Sequence, residues 1–333
     1  MALLLREPHL RELLTMRDLI PLMARTLGTF SGGGAVQPPR SVVPIAPHEG
    51  FLGLMPAYLS ASAAGAADEA LGLKAVAVYP GNTGRRLPTH LATILLLDPA
   101  TGVLLGVLDG RLITEMRTAA VSAAATDRLA RADADVLAII GAGVQARSHV
   151  EALREVRPPS EVRVWSRTQA HADRFASEMR ERFGVRIAVT ASAEAAVRGA
   201  GVICTVTNSR APIVEAAWLA AGSHINSVGA AQPQWHELST EALRRARLFV
   251  DSRAGAVVEA GDIVAAIRGG AITERHIVAE IGEVFTGRHA GRESRDEITL
   301  FTSVGIAVED VATARFAYAR AQARGVGEEI RLE

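Results

Sequence analysis

The stretch Asp135–Val156 limits what this chain can fold into more than any other. It reads Asp-Val-Leu-Ala-Ile-Ile, then Gly141-Ala142-Gly143-Val144-Gln145-Ala146, then Arg-Ser-His-Val-Glu-Ala-Leu-Arg-Glu-Val. The apolar run 136–140 predicts a short buried strand. Val144, Ala146, Val150, Leu153 and Val156 fall at the spacing of a helix packed on a sheet. Between them lies G-x-G-x-x-A, a variant of the dinucleotide fingerprint. Gly141 permits the tight turn, Gly143 lets the backbone approach a pyrophosphate, and Ala146 is small enough for close helix–strand packing. The helix N-terminus offers N–H groups and a partial positive charge to the phosphates. The same six residues would also suit a glycine turn in an unrelated α/β domain. Their context favours nucleotide binding, because Glu161-Val-Arg-Val-Trp165 follows at the spacing of a βαβ unit.

Alternation continues beyond that point. A helix is expected over 168–183, a strand over 185–189 and a short helix over 192–198. Further strands are expected over 201–206, 223–228 and 247–251. Ile298-Thr-Leu-Phe-Thr-Ser-Val-Gly305 reads as a strand ending in a turn, and a helix from Ile306 to about Arg324 follows. Such alternation implies an α/β domain with a parallel, doubly wound sheet. Upstream the pattern differs. Leu10, Leu13, Leu14, Ile20, Met23 and Leu27 have helical spacing, with Pro21 expected to break the helix or restart it. From Arg40 to Leu108 strands predominate: Ser41–Pro47, Phe51–Leu59, Leu71–Tyr79, His90–Leu97 and Val103–Leu108. Pro80-Gly-Asn-Thr-Gly84 and Asp98-Pro-Ala-Thr-Gly102 supply turns, the second suiting a hairpin. A helix over 112–131, rich in small side chains, connects this β-rich α+β part to the nucleotide strand. The expected division is residues 1–120 with 306–333, and residues 121–305.

With 333 residues, of which 49% are apolar, the chain can bury two cores. The 36 basic and 36 acidic residues cancel, so no charge surplus points to nucleic acid or an acidic membrane. No apolar run approaches a membrane span, and the N-terminus lacks the pattern of a signal peptide. The lone cysteine, Cys204, lies in Val202-Ile-Cys-Thr-Val206 and reads as a buried strand residue. One cysteine rules out an internal disulfide framework, which fits a cytoplasmic location. No metal-ligand set is assigned.

In a dinucleotide fold the second strand commonly ends in an Asp or Glu that bonds the ribose hydroxyls. Here that place holds Ser166-Arg167-Thr168. No carboxylate would repel a 2′-phosphate, and Arg167 could clamp one, with Ser166 and Thr168 donating hydrogen bonds. NADP(H) is therefore favoured, with NAD(H) possible if Arg167 is only a solvated charge at the helix start. In the front half, four sites stand out. Arg40 follows two prolines, Lys74 sits inside Leu-Gly-Leu-Lys-Ala-Val-Ala-Val, Thr89 and His90 open an apolar strand, and Arg117 lies on the Ala-rich helix. Each alone has a structural explanation: a surface ion pair for the arginines, snorkelling for Lys74, a satisfied strand histidine for His90. A lysine in a buried strand is nonetheless costly without a carboxylate or ligand. Together the four suggest a site for a carboxylate anion.

The set Gln37-Pro-Pro-Arg40, Gly53-Leu-Met-Pro56, Leu73-Lys74, Tyr79-Pro-Gly-Asn82, Arg117-Thr-Ala-Ala-Val-Ser122, Gly141-Ala-Gly143, Ser166-Arg-Thr168, Val206-Thr207, Ile225-Asn-Ser-Val-Gly229 and Ser303-Val-Gly305 with Asp310 resembles the ornithine cyclodeaminase/mu-crystallin family over nearly the whole chain. The resemblance implies a Rossmann domain plus a β-rich substrate-binding and dimerisation domain, and a homodimer. The substrate would be an α-amino or α-imino acid, its carboxylate held by Arg40, Lys74 and Arg117 with Thr89 nearby. The cofactor would contact Thr118, Gly141, Ala142, Gly143, Val144, Gln145, Arg167, Thr205, Val206, Thr207, Val228, Val304 and Gly305.

Two departures separate this chain from the cyclodeaminases, which typically carry Glu in place of Gly53 and Asp in place of Ala231. Without those acids the resemblance lies closer to the mu-crystallin side, whose members are similar to ketimine reductases. The expected reaction is reduction of a cyclic imine such as Δ1-pyrroline-2-carboxylate or Δ1-piperideine-2-carboxylate to proline or pipecolate. Lys74, His90 and Arg117 are the catalytic candidates, with Lys74 or, more weakly, His90 relaying a proton. The alternatives are an alanine dehydrogenase-like enzyme, ornithine cyclodeaminase itself, and a crystallin-like binding protein without turnover. Tyr58, Tyr79, Trp235 and His236 are unranked candidates for the side-chain pocket.

Overall fold

In the computed structural model, residues 1–61 and 69–331 are described, with the exception of the Thr83 side chain. The chain forms two compact units, Met1–Arg117 with Ile306–Glu333, and Thr118–Gly305. The dividing point lies within a single helix, Gly110–Leu129, started by Asp109, whose Oδ1 accepts the Leu112 N–H at 2.8 Å.

The first unit is built on a mixed sheet. From edge to edge its strands are Glu328–Ile330, Ala2–Leu5, Leu104–Asp109, His90–Leu97, Ala70–Val78, Gly50–Leu59 and Ala35–Val36, with Ser41–Ile45 also paired to Gly50–Leu59. The leucine-rich N-terminus is thus a strand, parallel to Leu104–Asp109. Its run of three leucines has no alternation to mark it as one. The turn at Asp98 makes the expected hairpin: the Asp98 carboxylate accepts the backbone N–H groups of Ala100 and Thr101. Along the central strands side chains alternate between two faces. One face carries Met55, Lys74, Val76, Ile94 and Leu96, all buried, and the helix Ala307–Arg324 packs on the two strands that carry the first three.

Pro21 does not break its helix. The chain breaks earlier, between Glu7–Leu13 and Met16–Ser31, where the Thr15 hydroxyl caps the second helix by accepting the Asp18 N–H. A proline inside a helix costs about 3 kcal/mol. Here Leu19, Ile20, Leu22, Met23 and Leu27 are buried on that helix, each worth roughly 1.5–3 kcal/mol, so packing outweighs the lost bond.

The main sheet of the second unit has eight strands in the order Ile187–Val189, Glu161–Trp165, Val136–Ile140, Val202–Thr205, His224–Ser227, Thr299–Thr302, Arg247–Val250 and Ile277–Glu280. All neighbours are parallel. This is the doubly wound sheet, with the last strand in sequence inserted ahead of two earlier ones. Ile277–Glu280 was not expected, nor was the small pair Arg210–Val214 with His236–Leu238. These strands are three to five residues long and carry polar residues, too little for a period to show. Cys204 is fully buried in its strand, and burial pushes its thiol up to about 12. Among the described residues no helix is long and apolar enough to cross a membrane.

Candidate active site

The buried face of the first unit contains a cluster of charges. Lys74 is 2% exposed and its Nζ lies 2.5 Å from Asp310 Oδ2 and 3.4 Å from Thr114 Oγ1. Arg117 donates from Nε to Asp310 Oδ1 at 2.9 Å and from Nη1 to Glu309 Oε2 at 2.6 Å. Glu309 and Asp310 are fully buried in the first turn of Ala307–Arg324, where the helix dipole also favours negative charge. Arg40 approaches the same place. A Cβ built on Gly53 would lie 3.5 Å from Arg40 Cδ, and the Arg40 charge acts on both Lys74 and His90.

Lys74 and Arg117 therefore share two buried carboxylates, with Arg40 close enough for its charge to act on the same group. The balance shows in the titration of the members. Burial drives the Lys74 ammonium down to about 8, against the pull of Asp310 and with the push of Arg117 and Arg40. Burial would raise the Asp310 carboxyl, but the charges of Arg117 and Lys74 outweigh it and hold the group below its ordinary value. His90 sits on the Lys74 face of the next strand, its Nδ1 3.4 Å from Thr89 Oγ1. Desolvation, then the charges of Lys74 and Arg40, hold its imidazole below the ordinary value. His90 is itself solvent-exposed, whereas Lys74 is buried.

The first unit brings together Arg40, Lys74, His90 and Arg117, with Thr89 beside His90. Tyr58 does not join them: it lies on the opposite face of the sheet and donates to Glu69 at 2.5 Å. Glu309 and Thr114 had no role in the reading from sequence, and Asp310 had none beyond its place in the motif. Their signal was available in Ile306-Ala-Val-Glu-Asp-Val-Ala-Thr-Ala, where two acids interrupt an apolar helix as Lys74 interrupts an apolar strand.

The second unit carries the fingerprint as a strand–turn–helix. Gly141 has φ +115° and its N–H bonds to Trp165 O at 2.8 Å. A Cβ there would stand 2.8 Å from Val206 O, so only glycine lets the turn pass beneath the loop 206–207. A Cβ on Gly143 would meet nothing within 4 Å, so the turn is open at the point where a pyrophosphate would approach. The thirteen-residue helix Val144–Val156 begins with no side-chain cap. Gln145 Oε1 is buried there without a hydrogen-bond partner. Arg147 Nη1 donates to the carbonyls of Ala142 and Gly143 at 2.9 Å, which leaves the turn's N–H groups facing away from them. These features fit the phosphates of a dinucleotide. Ser166, Arg167 and Thr168 follow strand Glu161–Trp165, and Thr168 starts the next helix. Among the described residues the exposed Arg167 makes no ion pair. Thr205 ends its strand, Val206 and Thr207 form the loop after it, Val228 follows His224–Ser227, and Val304-Gly305 follow Thr299–Thr302. Thr118 lies buried on Gly110–Leu129.

A doubly wound sheet with this turn, together with a buried cationic cluster, defines a nicotinamide-dinucleotide-dependent oxidoreductase. The comparisons with known proteins name the group. Residues 2–325 match the ornithine cyclodeaminase/mu-crystallin family, and the chain belongs to it. Ketimine reductase mu-crystallin from Mus musculus is 45% identical over 303 residues, 90% of this chain and 91% of that protein. The structure of Thermococcus litoralis Δ1-pyrroline-2-carboxylate reductase in complex with NADH and L-proline superposes with a TM-score of 0.94 at 41% identity, covering 98% of this chain and 100% of that one. An archaeal alanine dehydrogenase dimer with bound NAD gives a TM-score of 0.93 at 35% identity, over 100% and 99% of the two chains.

Proposed function

We propose that this protein reduces the C=N bond of small cyclic α-imino acids to the corresponding cyclic amino acids, in the manner of a ketimine or Δ1-pyrroline-2-carboxylate reductase. The observation that carries the reading is the convergence of Arg40, Lys74 and Arg117, the last two buried, where one substrate carboxylate could be held. A bound nicotinamide supplies the hydride that adds to the imine carbon. The rest falls to side chains. Arg40 and Arg117 orient the carboxylate. Lys74, charged at pH 7 and held near 8, keeps the imine nitrogen protonated, and the product nitrogen retains that proton. His90, exposed and with its imidazole held below the ordinary value, is the weaker candidate for proton relay. Gly53 and Ala231 offer no carboxylate of the kind that deamination of ornithine would use, and this favours imine reduction over the cyclodeaminase reaction.

The test is NAD(P)H oxidation with the five- and six-membered cyclic imines side by side, against pyruvate plus ammonia. Turnover of the cyclic imines is expected; a preference for pyruvate plus ammonia would make the protein an amino-acid dehydrogenase instead. Arg117→Ala should raise KM for the imino acid roughly 10- to 100-fold, the worth of a charge-assisted contact, while NADPH affinity stays near its parental value. An unchanged imino-acid KM would remove Arg117 from the carboxylate site.

NADP(H) is the favoured cofactor, supported by the unpaired Arg167 between Ser166 and Thr168 and by the missing carboxylate; NAD(H) remains the alternative. Equal KM values for the two cofactors in parent and in Arg167→Ala would end the preference. A homodimer and a cytoplasmic location belong to the same reading. The sheet face opposite Lys74 is apolar and only partly covered, with Leu52, Leu54, Pro56 and Leu73 partly buried and Leu91 and Leu95 exposed at 44% and 37%. A second copy of the chain would cover it. A Leu95→Lys variant that still sediments as the parent does would remove that face from the interface.

A further inference from the structure

Four neighbouring strands of the second unit, Val202–Thr205, His224–Ser227, Thr299–Thr302 and Arg247–Val250, end on one edge of the sheet. The loops that leave them are tied together by two buried carboxylates outside the cationic cluster. Glu237, fully buried, accepts the Thr207 N–H at Oε1 (2.6 Å) and the Gly229 N–H at Oε2 (2.8 Å). One carboxylate thus bridges the loops after the first two strands. Gly229 comes so near that a Cβ would overlap both Thr207 O and the Glu237 carboxylate. Asp251, also fully buried, accepts from Ser303 Oγ at 3.1 Å, Val304 N at 2.8 Å and Gly305 N at 2.7 Å with Oδ2, and from Ser252 N with Oδ1. It ties the end of the fourth strand to the loop after the third. Asp262 braces Glu237 by accepting the N–H groups of Glu237 and Leu238.

Neither carboxylate has a salt-bridge partner among the described residues. Burying an ionised carboxylate is expensive, and an apolar residue would fill the space at less cost. What each provides is a link between backbone segments. Glu237 holds the loop 206–207 that lies against Gly141, so the bridge reaches the phosphate turn through one contact.

We propose that Glu237 and Asp251 are positioning residues for the dinucleotide. By fixing the loops after four adjacent strands they hold Thr205–Thr207, Val228 and Val304–Gly305 in the arrangement that receives the nicotinamide half of the cofactor. The inference rests on the reading that these loops contact the cofactor. Neither residue touches the substrate in this scheme.

The test uses Glu237→Gln and Asp251→Asn in the full chain. Each keeps the size of the side chain but turns one acceptor into an NH2 that faces a backbone N–H. The Kd for NADH is expected to rise roughly tenfold to a hundredfold in either variant, the span for a buried donor that loses its acceptor. KM for the imino acid should stay near the parental value. A purely structural role would lower the melting temperature and leave the cofactor constants of the folded fraction unchanged, and that result overturns the proposal. If a variant does not fold, amide hydrogen exchange on the parent decides. Thr207, Gly229, Val304 and Gly305 should exchange slowly and more slowly still with saturating NADH; rapid exchange in both states overturns it. A parent that binds no NADH fails the cofactor reading itself. A parent that binds it as tightly as both variants fails only this inference.

Discussion

The two units bury charge in different ways. In the first, Lys74 and Arg117 meet Glu309 and Asp310 directly, cation to carboxylate. In the second, Glu237, Asp251 and Asp262 are met mainly by backbone N–H groups. The contrast appears in their acidities. The Asp310 carboxyl is held below its ordinary value, because the charges of Arg117 and Lys74 outweigh the burial that would raise it. Burial raises Glu237 to about 7, Asp251 to about 6 and Asp262 to about 7, because N–H dipoles offset less of the desolvation than a full charge does. The first unit thus keeps full cations in place, and the second uses carboxylates as ties between backbone segments.

The largest effect that would test this contrast lies at Lys74. Lys74→Met removes the proposed proton donor, and kcat for imine reduction is expected to fall roughly 10²- to 10⁴-fold. A kcat near the parental value would show that the charge of Lys74 serves only binding or folding. Next comes its partner. Asp310→Asn leaves two buried cations with one carboxylate, and breaking a buried pair in this way costs about 3–5 kcal/mol, read as a lower melting temperature. The same variant separates charge from packing. Asp310 raises the Lys74 pKa, so its loss lowers it further. The alkaline limb of kcat/KM, expected near 8 in the parent, should move to lower pH, and a limb that stays in place would detach Asp310 from Lys74.

The smallest effect belongs to the second unit. The fold raises Asp262 above its ordinary value, so the protonated form is the one the native state prefers. Its contribution to stability is therefore full below the ordinary carboxylate pKa and is lost as pH rises through about 7. Asp262→Asn should flatten the change in melting temperature between pH 5.5 and pH 8. An undiminished change would place the titrating group elsewhere, with Glu237 the next candidate.

Much of this was legible without coordinates. The fingerprint announced itself because a strand, a turn that needs glycine and an amphipathic helix all occur within two dozen residues. Lys74 stood out because a charge in an apolar strand violates the burial rule. The partners of these residues were harder to see. Asp310 lies more than two hundred residues from Lys74 in the chain, and nothing local says that the last helix returns to the first unit's sheet. Glu237 sits in a three-residue strand with no periodicity, and its targets Thr207 and Gly229 are bound through their backbones, which leave no mark on side-chain identity. Pro21 misled for a similar reason, since a local propensity was outweighed by burial against a helix distant in sequence.

The amino-acid order by itself determined the element types, the dinucleotide turn at Gly141–Ala146, the absence of an acid after Trp165 and the presence of lone cations in apolar surroundings, because each follows from periodicity or chemistry within a short window. Only the tertiary structure decided which carboxylate meets which cation, that His90 shares a sheet face with Lys74, and that two buried acids tie four strand ends together. Those outcomes depend on desolvation and on distances between residues far apart in the chain, and neither is set until the chain has closed on itself.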